Sequence, residues 1–436
     1  MAALSDRWTE MRPHATQMAY RRSSARFNVV PAGRRSGKTE LAKRKLIGAA
    51  LRGSEFSRPR YFAAAPTRDQ AKRIYWTDLK ALMPREHIVD ISETELRISV
   101  VTGAELWVVG LDKPERIEGS PWDGGVLDEY GNMKAKAWPE NVRPALADRS
   151  GWCDMIGVPE GRNHYFDLWQ QAKTSTDGWA AFHWKSADIL PPEEVEAARK
   201  DLDELTFQQE YEGSFVSFEG RAYYPFAEVD HYAKLSHKYD KRQPLAFCFD
   251  FNVAPGVAAI AQEMQLPSGH AGTAVIGEVY IPRNSNTPAV CRKLLQDWGH
   301  HEGQVVCYGD ASGGASGSAK VAGSDWDIVK KELAPLRDRM TFRVPKANPR
   351  ERARVNAMNT RLKASDGTVR LQVDPHAAPH VVRDLEGVTL LAGGAGEIDK
   401  RADASLSHIS DAVGYYVATE FPIQNRATRK TRLIGV

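Results

Sequence analysis

The chain has 436 residues, of which 42% are hydrophobic and 26% are charged, and its formal net charge is +3. This length suits two or three domains, and the composition is that of a globular protein with a sizeable core. No apolar run is long enough to cross a bilayer, and we expect no signal peptide in the first ten residues. The four cysteines lack the spacing of a disulfide framework or a zinc site, which indicates a reducing compartment.

The first half of the chain alternates short β-rich runs with helical stretches, which predicts a mostly parallel sheet covered on both faces. The predicted strands are FNVVPA, YFAAAPT, LWVVG, GGVLDE and WCDMIGV, with helices beginning at Glu40 and Arg68. After residue 243 the runs PLAFCFDFN, GVAAIAQEM and GTAVIGEVYI follow closely, then a helix over 289–298 and the strand QVVCYGD. Three antiparallel strands, a helix and a returning strand are the order of an RNase H-like sheet.

Residues 29–40, VVPAGRRSGKTE, are close to a phosphate-binding loop in which Ala32 replaces the first glycine. A strand precedes this loop and a helix follows it, the context in which backbone N–H groups surround a phosphate. We predict that Lys38 reaches the β- and γ-phosphates and that the Thr39 hydroxyl ligates Mg²⁺. Ala32 fits only if its φ stays below zero, and the alternative interpretation is a basic turn. The predicted ATP-binding residues of the loop are Gly33, Arg34, Arg35, Ser36, Gly37, Lys38 and Thr39.

The run GGVLDEYG is a short apolar strand that ends in two adjacent acids, Asp128 and Glu129. Asp128 is placed to hold Mg²⁺ through water, and Glu129 to orient or deprotonate the attacking water. An isolated pair of acids at a strand end is often a helix cap or a turn. Because this pair follows a strand–GKT–helix unit, it indicates a Walker B strand. Positive charge for the γ-phosphate would come from Arg34 and Arg35, or from Arg143 in cis or from a neighbouring subunit. An exposed arginine with no catalytic part is the alternative for Arg143.

Three aspartates in the second half predict a metal site. Asp250 and Asp310 each end a strand, and two parallel neighbours would place them side by side at one sheet edge. Asp411, in the helical run SHISDAVGYYVA, would approach from above. Carboxylates alone suit Mg²⁺ or Mn²⁺, and two such ions can cleave a phosphodiester. Each acid also has an ordinary explanation as a turn or surface residue. A rival ligand and three weaker candidates near this edge are Glu278, Asn252, Lys320 and His408.

The run KANPRERARVNAMNTRLK is basic and predicted to be helical. Its arginines would contact a DNA backbone without reading sequence, or else form a solvated helix face. The arginines in question are Arg350, Arg352, Arg354 and Arg361.

These motifs together resemble the large terminase subunits of tailed bacteriophages, over nearly the whole chain. GRRSGKT resembles the arginine-containing Walker A loop of that family, and HATQ its adenine-reading motif, which points to Gln17. RIEGSPWDGGVLDEYG resembles the Walker B region, and DFN, YGD and SHISDAVGYY resemble the three carboxylate motifs of the nuclease domain. The coupling motif departs from the pattern, since Val158 stands where a hydroxyl residue is common; Asn163 is a possible substitute.

The resemblance implies an α/β protein: a P-loop NTPase domain with an ASCE-type parallel sheet over 1–213, a linker over 214–243, an RNase H-like nuclease domain over 244–421 and a basic tail over 422–436. It implies catalytic roles for Glu129, Arg34 and Arg35 in the ATPase, and for Asp250, Asp310 and Asp411 in the nuclease. The implied cofactors are ATP with Mg²⁺, and Mg²⁺ or Mn²⁺ at the nuclease site.

The implied partners are double-stranded DNA, a portal and procapsid, a small terminase subunit and further copies in a ring, with no membrane partner. The implied location is the cytoplasm of the infected host and not the mature virion. Two alternatives remain. A P-loop translocase or helicase without nuclease activity predicts no metal-dependent cleavage, and an ATP-binding assembly factor predicts nucleotide binding without turnover.

Overall fold

A computed structural model describes residues 8, 10–175, 177–216, 220–251, 254–311, 324–391, 396–401, 403 and 405–423. Asn252, Lys320 and residues 424–436 of the predicted basic tail lie outside the described residues. The chain forms two compact units. One contains the chain up to Val195 and the segment beginning at Gln208; the other contains Glu196–Phe207 and the chain from Gly220 on.

The strands of the two units are numbered along the chain. Those of the first unit are β1 (Phe27–Pro31), β2 (Arg60–Ala65), β3 (Ile88–Ser92), β4 (Arg97–Val100), β5 (Glu105–Gly110), β6 (Gly124–Asp128), β7 (Trp152–Gly157) and β8 (Trp179–Ala181). Those of the second are β9 (Gly220–Arg221), β10 (Leu245–Asp250), β11 (Gly256–Gln265), β12 (Ala271–Ile281), β13 (Val305–Gly309), β14 (Met340–Phe342), β15 (Leu371–Val373) and β16 (Thr389–Leu390).

The α-helices are numbered in the same way. They are α1 (Ala15–Arg21), α2 (Lys38–Arg52), α3 (Arg68–Ala71), α4 (Thr77–Leu82), α5 (Arg143–Ala145), α6 (His164–Thr174), α7 (Pro192–Asp201), α8 (Glu204–Glu210), α9 (Glu228–His231), α10 (Thr287–Trp298), α11 (Asp325–Glu332), α12 (Glu351–Leu362), α13 (Pro379–Gly387) and α14 (His408–Glu420). A π-helical segment, Lys72–Trp76, joins α3 to α4. None of the helices in the described ranges combines the length and apolar character needed to cross a bilayer.

The first unit is built on one sheet with the strand order β3-β4-β5-β2-β6-β7-β1-β8. Strands β5, β2, β6, β7, β1 and β8 are parallel, and β3 and β4 add an antiparallel edge. The loop-bearing strand β1 and the acid-bearing strand β6 both pair with β7, which therefore lies between them. This is the ASCE-type arrangement, and it brings the carboxyl ends of β1 and β6 to the same edge.

The central strands β1, β2, β6 and β7 of this sheet are buried on both faces because they are predominantly apolar. Along β2, Tyr61, Ala63 and Ala65 pack into the core that contains α2, whereas Phe62 and Ala64 pack into the core on the other side. A side chain as large as Phe62, fully buried, stabilises the fold by roughly 1.5–3 kcal/mol. The predicted helices begin at Lys38, two residues before the expected Glu40, and at Arg68.

The second unit is built on a mixed sheet with the order β14-β13-β10-β11-β12-β15. Strands β10, β11 and β12 are antiparallel neighbours, and β13 returns parallel to β10, as predicted for an RNase H-like sheet. Residues Leu245, Phe247 and Phe249 of β10 face one core, which also contains apolar residues of α10 and α11. The alternate residues of β10 face α14 on the other side. The helix predicted from residue 289 begins at Thr287.

Candidate functional site

The loop after β1 is held by hydrogen bonds to its own backbone. The Ser36 hydroxyl donates to Gly33 O at 2.6 Å, while Ser36 O accepts from Gln17 Nε2 at 2.8 Å and from Trp184 Nε1 at 2.9 Å. Gly37 has φ 79°, in the left-handed region that favours glycine, and it is the last residue before α2. The loop therefore presents the N-terminus of α2, where an anion is favoured. Gln17, predicted to read adenine, donates its amide to the loop.

Ala32 adopts the conformation that the altered loop requires. It is absent from the described non-glycine residues with positive φ, and its N–H donates to Gly157 O at 3.0 Å. The requirement for a glycine instead falls on Gly33, where an added Cβ would lie 2.4 Å from both Ser186 Oγ and Tyr211 O. Replacement of the first glycine is thus compatible with the loop geometry.

Thr39 and Asp128 connect the loop helix to β6. The Thr39 hydroxyl donates to Asp128 Oδ2 at 2.9 Å, and the Tyr75 hydroxyl donates to the same oxygen at 2.9 Å. Lys38 is buried, and its Nζ donates to Gly33 O at 3.3 Å. Burial raises the pKa of the Asp128 carboxyl, and the Lys38 ammonium opposes that rise. A hydroxyl and a carboxylate in contact beside a lysine fit Mg²⁺ and a nucleotide phosphate.

Glu129 has a strained backbone. Its φ of 54° lies in the left-handed region, where a non-glycine residue is uncommon, and its N–H donates to Asp128 Oδ1 at 2.9 Å. An added Cβ on Gly157 would lie 3.2 Å from the Glu129 Cα, a tight contact, so the glycine on the adjacent strand eases the close approach of this turn. Burial raises the Glu129 pKa, with Lys38 opposing. A carboxylate with a raised pKa is a stronger base for water.

The three candidate arginines differ in position. Arg34 Nε donates to Glu210 Oε2 at 2.6 Å, so its guanidinium is bound to a carboxylate beside the loop. Arg35 has φ 55°, a second left-handed residue in the loop. Arg143 lies over the Phe27 ring, 5.6 Å from its centroid, at the start of β1 and thus at the end opposite the loop. Arg143 therefore does not face the loop of its own chain.

The segment expected to couple ATP hydrolysis to movement is hydrogen-bonded to the turn that follows Glu129. Val158 is buried directly after β7. The Asn163 side chain accepts from Tyr165 N at 2.9 Å, which caps α6, and its amide donates to Gly131 O at 2.8 Å. Asn163 thereby links α6 to the turn that follows Glu129, although it does not supply the missing hydroxyl of position 158.

The register of the second sheet brings two of the predicted carboxylates together. Phe249 pairs with Gly309 in parallel strands, so Asp250 and Asp310 are the next neighbours, about 4.8 Å apart between strands. His408 Nδ1 lies 3.3 Å from Asp250 Oδ2, and Asn348 Nδ2 donates to Asp310 Oδ1 at 2.6 Å.

Asp411 lies over this edge on α14, but an arginine holds it. Arg354 donates to Asp411 Oδ1 at 2.7 Å, and both side chains are 5% exposed. Burial raises the Asp411 pKa to about 6, Arg354 opposes the rise, and Asp250 adds to it. Among the residues that the structure describes, no group of three His, Cys, Asp or Glu side chains lies close enough together to hold a metal ion. The oxygen donors suit Mg²⁺ or Mn²⁺, and the three-carboxylate site stays a prediction.

Two further acids position helices. Glu278 accepts hydrogen bonds from the backbone N–H groups of His380 and Val381 at 3.0–3.1 Å, at the start of α13. Asp384 Oδ2 accepts from the N–H groups of Ile409 and Ser410 at 3.1 Å, at the start of α14. Glu278, predicted as a rival ligand, therefore has its oxygens bound to α13.

The predicted DNA-contacting helix is present as α12, but two of its arginines face inward. Arg354 is buried against Asp411 and lies 4.7 Å from the Tyr415 ring centroid. Arg361 donates to Glu263 Oε2 at 2.6 Å and lies 3.6 Å from the Phe421 ring centroid. The prediction of backbone-binding arginines is therefore wrong for Arg354 and Arg361, whereas Arg350 is exposed.

Sequence reasoning missed four contacts of the predicted residues. Tyr75 binds Asp128, Glu210 binds Arg34, Arg354 binds Asp411, and Trp184 binds the loop backbone. Each pairing joins segments far apart in the chain, so no local motif could have revealed it.

Comparisons with curated proteins and solved structures found proteins similar to this chain. No protein-family model matches the chain. The large terminase subunit of Thermus phage G20c is 28% identical over 254 residues, which cover 49% of this chain and 51% of that protein. The chain's homologues are large terminase subunits. The chain spans about half the length of the curated relatives that it matches.

A solved large terminase structure extends the likeness to the fold. That of the thermophilic bacteriophage D6E matches with a TM-score of 0.58 at 14% identity, over 96% of this chain and 99% of that one. The same protein in complex with ATP-γ-S matches with a TM-score of 0.56 at 16% identity, over 96% and 99%. The large terminase fold confirms the predicted α/β class, a P-loop sheet followed by an RNase H-like sheet.

Proposed function

We propose that the chain is a DNA-packaging motor subunit that hydrolyses ATP to move double-stranded DNA into a procapsid and cleaves concatemeric DNA. The observation that carries the proposal is the contact between Thr39 and Asp128, beside Lys38 and Glu129, in an ASCE-type sheet. That arrangement supports ATP hydrolysis. The solved complex of a D6E large terminase with ATP-γ-S, a protein of the same fold, supports a nucleotide as a ligand of this chain.

In the proposed ATPase, the loop backbone and Lys38 bind the β- and γ-phosphates, and the oxygens of Thr39 and Asp128 hold Mg²⁺. Glu129 orients the attacking water and accepts its proton. Arg34 and Arg35 are proposed to stabilise charge on the γ-phosphate; for Arg34, this requires exchange of its Glu210 partner.

In the proposed nuclease, Asp250, Asp310 and Asp411 hold Mg²⁺ or Mn²⁺, which would activate water and stabilise the leaving oxygen. Asp250 and Asp310 are neighbours in register, which supports their cooperation. Asp411 would first have to exchange its Arg354 partner. The proposed domain limits are 1–213 for the ATPase domain, 214–243 for the linker, 244–421 for the nuclease domain and 422–436 for the basic tail.

The proposed partners are double-stranded DNA, a portal on a procapsid, a small terminase subunit and further copies of the chain in a ring. The proposed site of action is the host cytoplasm during infection. The resemblance to large terminase subunits supports these proposals.

Plasmid cleavage and ATP hydrolysis by the purified chain test the two activities separately. With Mn²⁺ or Mg²⁺, the wild type and Lys38→Ala are expected to cut supercoiled plasmid, whereas Asp250→Ala is not. ATP hydrolysis is expected for the wild type and Asp250→Ala, and not for Lys38→Ala. Loss of cleavage in both variants, with their folds intact, would contradict two separable sites.

A translocase without nuclease activity is the second candidate. The buried ion pair between Arg354 and Asp411 favours it, because this pair competes with a metal for one carboxylate. DNA-stimulated ATP hydrolysis without cleavage under any divalent cation would support this candidate. Metal-dependent cleavage that is lost in Asp411→Ala would exclude it.

A further inference from the structure

A cavity separate from the predicted metal site lies beside the sheet of the second unit, between the end of β12 and α13. It is a cavity of about 600 Å³ whose lining includes Tyr280, Arg283, His380, Arg383 and Ser405. Two guanidinium groups and an imidazole in one cavity favour an anionic ligand. No carboxylate in the described part of the chain forms a salt bridge with either arginine.

The aromatic wall of this cavity is held in place. The Tyr280 and His380 rings are stacked, with centroids 3.7 Å apart and planes inclined by 4°. His380 Nδ1 lies 2.5 Å from Glu278 Oε1, and Glu278 is itself fixed by the backbone of α13. A carboxylate at Nδ1 fixes the ring orientation and leaves Nε2 as the nitrogen that can contact a ligand; toward an anion, Nε2 is a donor when the ring carries both protons. The side chain of His380 is 37% exposed, so a ligand can reach it.

Arg383 is also held at the cavity. Its Nη2 donates to the carbonyl and the hydroxyl of Ser405, at 3.1 and 2.5 Å. Its guanidinium has other N–H groups with which to bind an anion. Arg283 lies two residues after the end of β12 and is exposed.

The sheet register places this cavity beside the predicted metal site. Asp250 pairs with Val257, and Val257 pairs with Tyr280, so the three residues form one row across adjacent strands. Paired residues in antiparallel strands direct their side chains to the same face. Two strand spacings separate Asp250 from Tyr280, which is roughly 10 Å. One strand of duplex DNA carries a phosphate for about every 3.4 Å of helix axis, so this separation corresponds to a few nucleotides.

We infer that this cavity binds a backbone phosphate of the DNA strand a few nucleotides from the bond that is cut, through Arg283, Arg383 and His380. This inference rests on the proposed nuclease function and adds a substrate-positioning site to it. The contact orients the strand across Asp250 and Asp310 and carries no sequence information.

Salt-dependent binding of a labelled DNA duplex to the full chain tests this inference. Binding is measured in EDTA by fluorescence anisotropy, so that no cleavage occurs. Arg283→Ala is expected to weaken binding and to reduce the slope of log K against log salt by about 1. His380→Asn retains a donor toward Glu278 while removing Nε2, and it is expected to weaken binding as well. The matched control is Arg292→Ala, an exposed arginine on α10, which covers the opposite face of the sheet.

Cleavage kinetics provide the second measurement. Loss of a contact made equally in the ground and transition states raises KM and leaves kcat unchanged, which is the result expected for Arg283→Ala with Mn²⁺. If Arg283→Ala and His380→Asn match Arg292→Ala in salt slope and KM while the wild type binds and cuts DNA, only the inference is refuted. If the wild type does not bind DNA, the proposed function fails together with the inference.

Discussion

We expect Asp384 to make the stability of α14, the helix that carries Asp411, depend on pH. Its carboxylate is 2% exposed and accepts two backbone hydrogen bonds at the start of that helix. Burial nevertheless raises its pKa to about 6, from an ordinary value of 3.8, because the two hydrogen bonds offset only part of the lost hydration. The variant Asp384→Asn keeps one side-chain oxygen for these N–H groups and removes the titration.

The size of the effect follows from the two pKa values. A difference of about two units corresponds to about 3 kcal/mol. Because the folded pKa of Asp384 is raised, its contribution to the free energy of unfolding is fully present below the unfolded value, 3.8, and is lost as pH rises through about 6. Between about pH 4 and pH 7.5, the wild type should therefore lose up to about 3 kcal/mol relative to Asp384→Asn. Asp411 titrates in both proteins, so its contribution cancels in the comparison.

Hydrogen exchange of the full chain is the assay, read in the peptide that covers α14. The free energy of opening is obtained for the wild type and for Asp384→Asn at both pH values, after correction for the intrinsic exchange rate. Glu386→Gln, an exposed change on α13, the helix that carries Asp384, is the control. Equal pH dependence in the wild type and Asp384→Asn would refute the reasoning. A wild type that gains stability with rising pH relative to the variant would mean that the hydrogen bonds outweigh burial.

Three further substitutions test other parts of the structure. Glu129→Gln should slow ATP hydrolysis by roughly 10²–10⁴-fold while a fluorescent ATP analogue still binds, and loss of binding would contradict its role as a base. Gly37→Ala should lower the free energy of unfolding by about 1–2 kcal/mol because of its left-handed backbone. The control Gly48→Ala, inside α2 with ordinary space for a Cβ, should not lower it. Arg354→Met should cost about 3–5 kcal/mol in urea unfolding because it removes the buried partner of Asp411 and leaves only the longer contact with Lys400, at 3.8 Å. Exposed Arg350→Met should change that free energy by less than about 0.5 kcal/mol, and equal costs would argue against a buried ion pair.

Much of the fold could be predicted because its strands are continuous apolar runs. FNVVPA, GGVLDE and QVVCYGD correspond to β1, β6 and β13, which are buried on both faces of their sheets. Strands β3 and β8 were not predicted. Most of β3 is exposed at the sheet edge, and β8 has three half-buried residues, so neither carries an apolar signal.

In the candidate sites, too, the residues that could be predicted are those with a local signal in the sequence. Lys38 and Thr39 belong to a local motif whose chemistry depends on adjacent residues, and the structure brings Thr39 to Asp128 as expected. Arg354 could not be assigned, because a basic helix with charges on several sides does not reveal which arginine is buried. That choice depends on Asp411, 57 residues further on, and on the glycine beside it, Gly414, where an added Cβ would lie 2.9 Å from the Arg354 side chain.

The paired use of Glu278 and Asp384 has a mechanical consequence. Glu278 on β12 holds the start of α13, and Asp384 on α13 holds the start of α14, so two helices are joined in series through their positive ends. The position of Asp411 is therefore linked, through α13, to strand β12 of the sheet. A substitution of Glu278 would therefore shift the start of α13 and, through Asp384, the start of α14, the helix that carries Asp411.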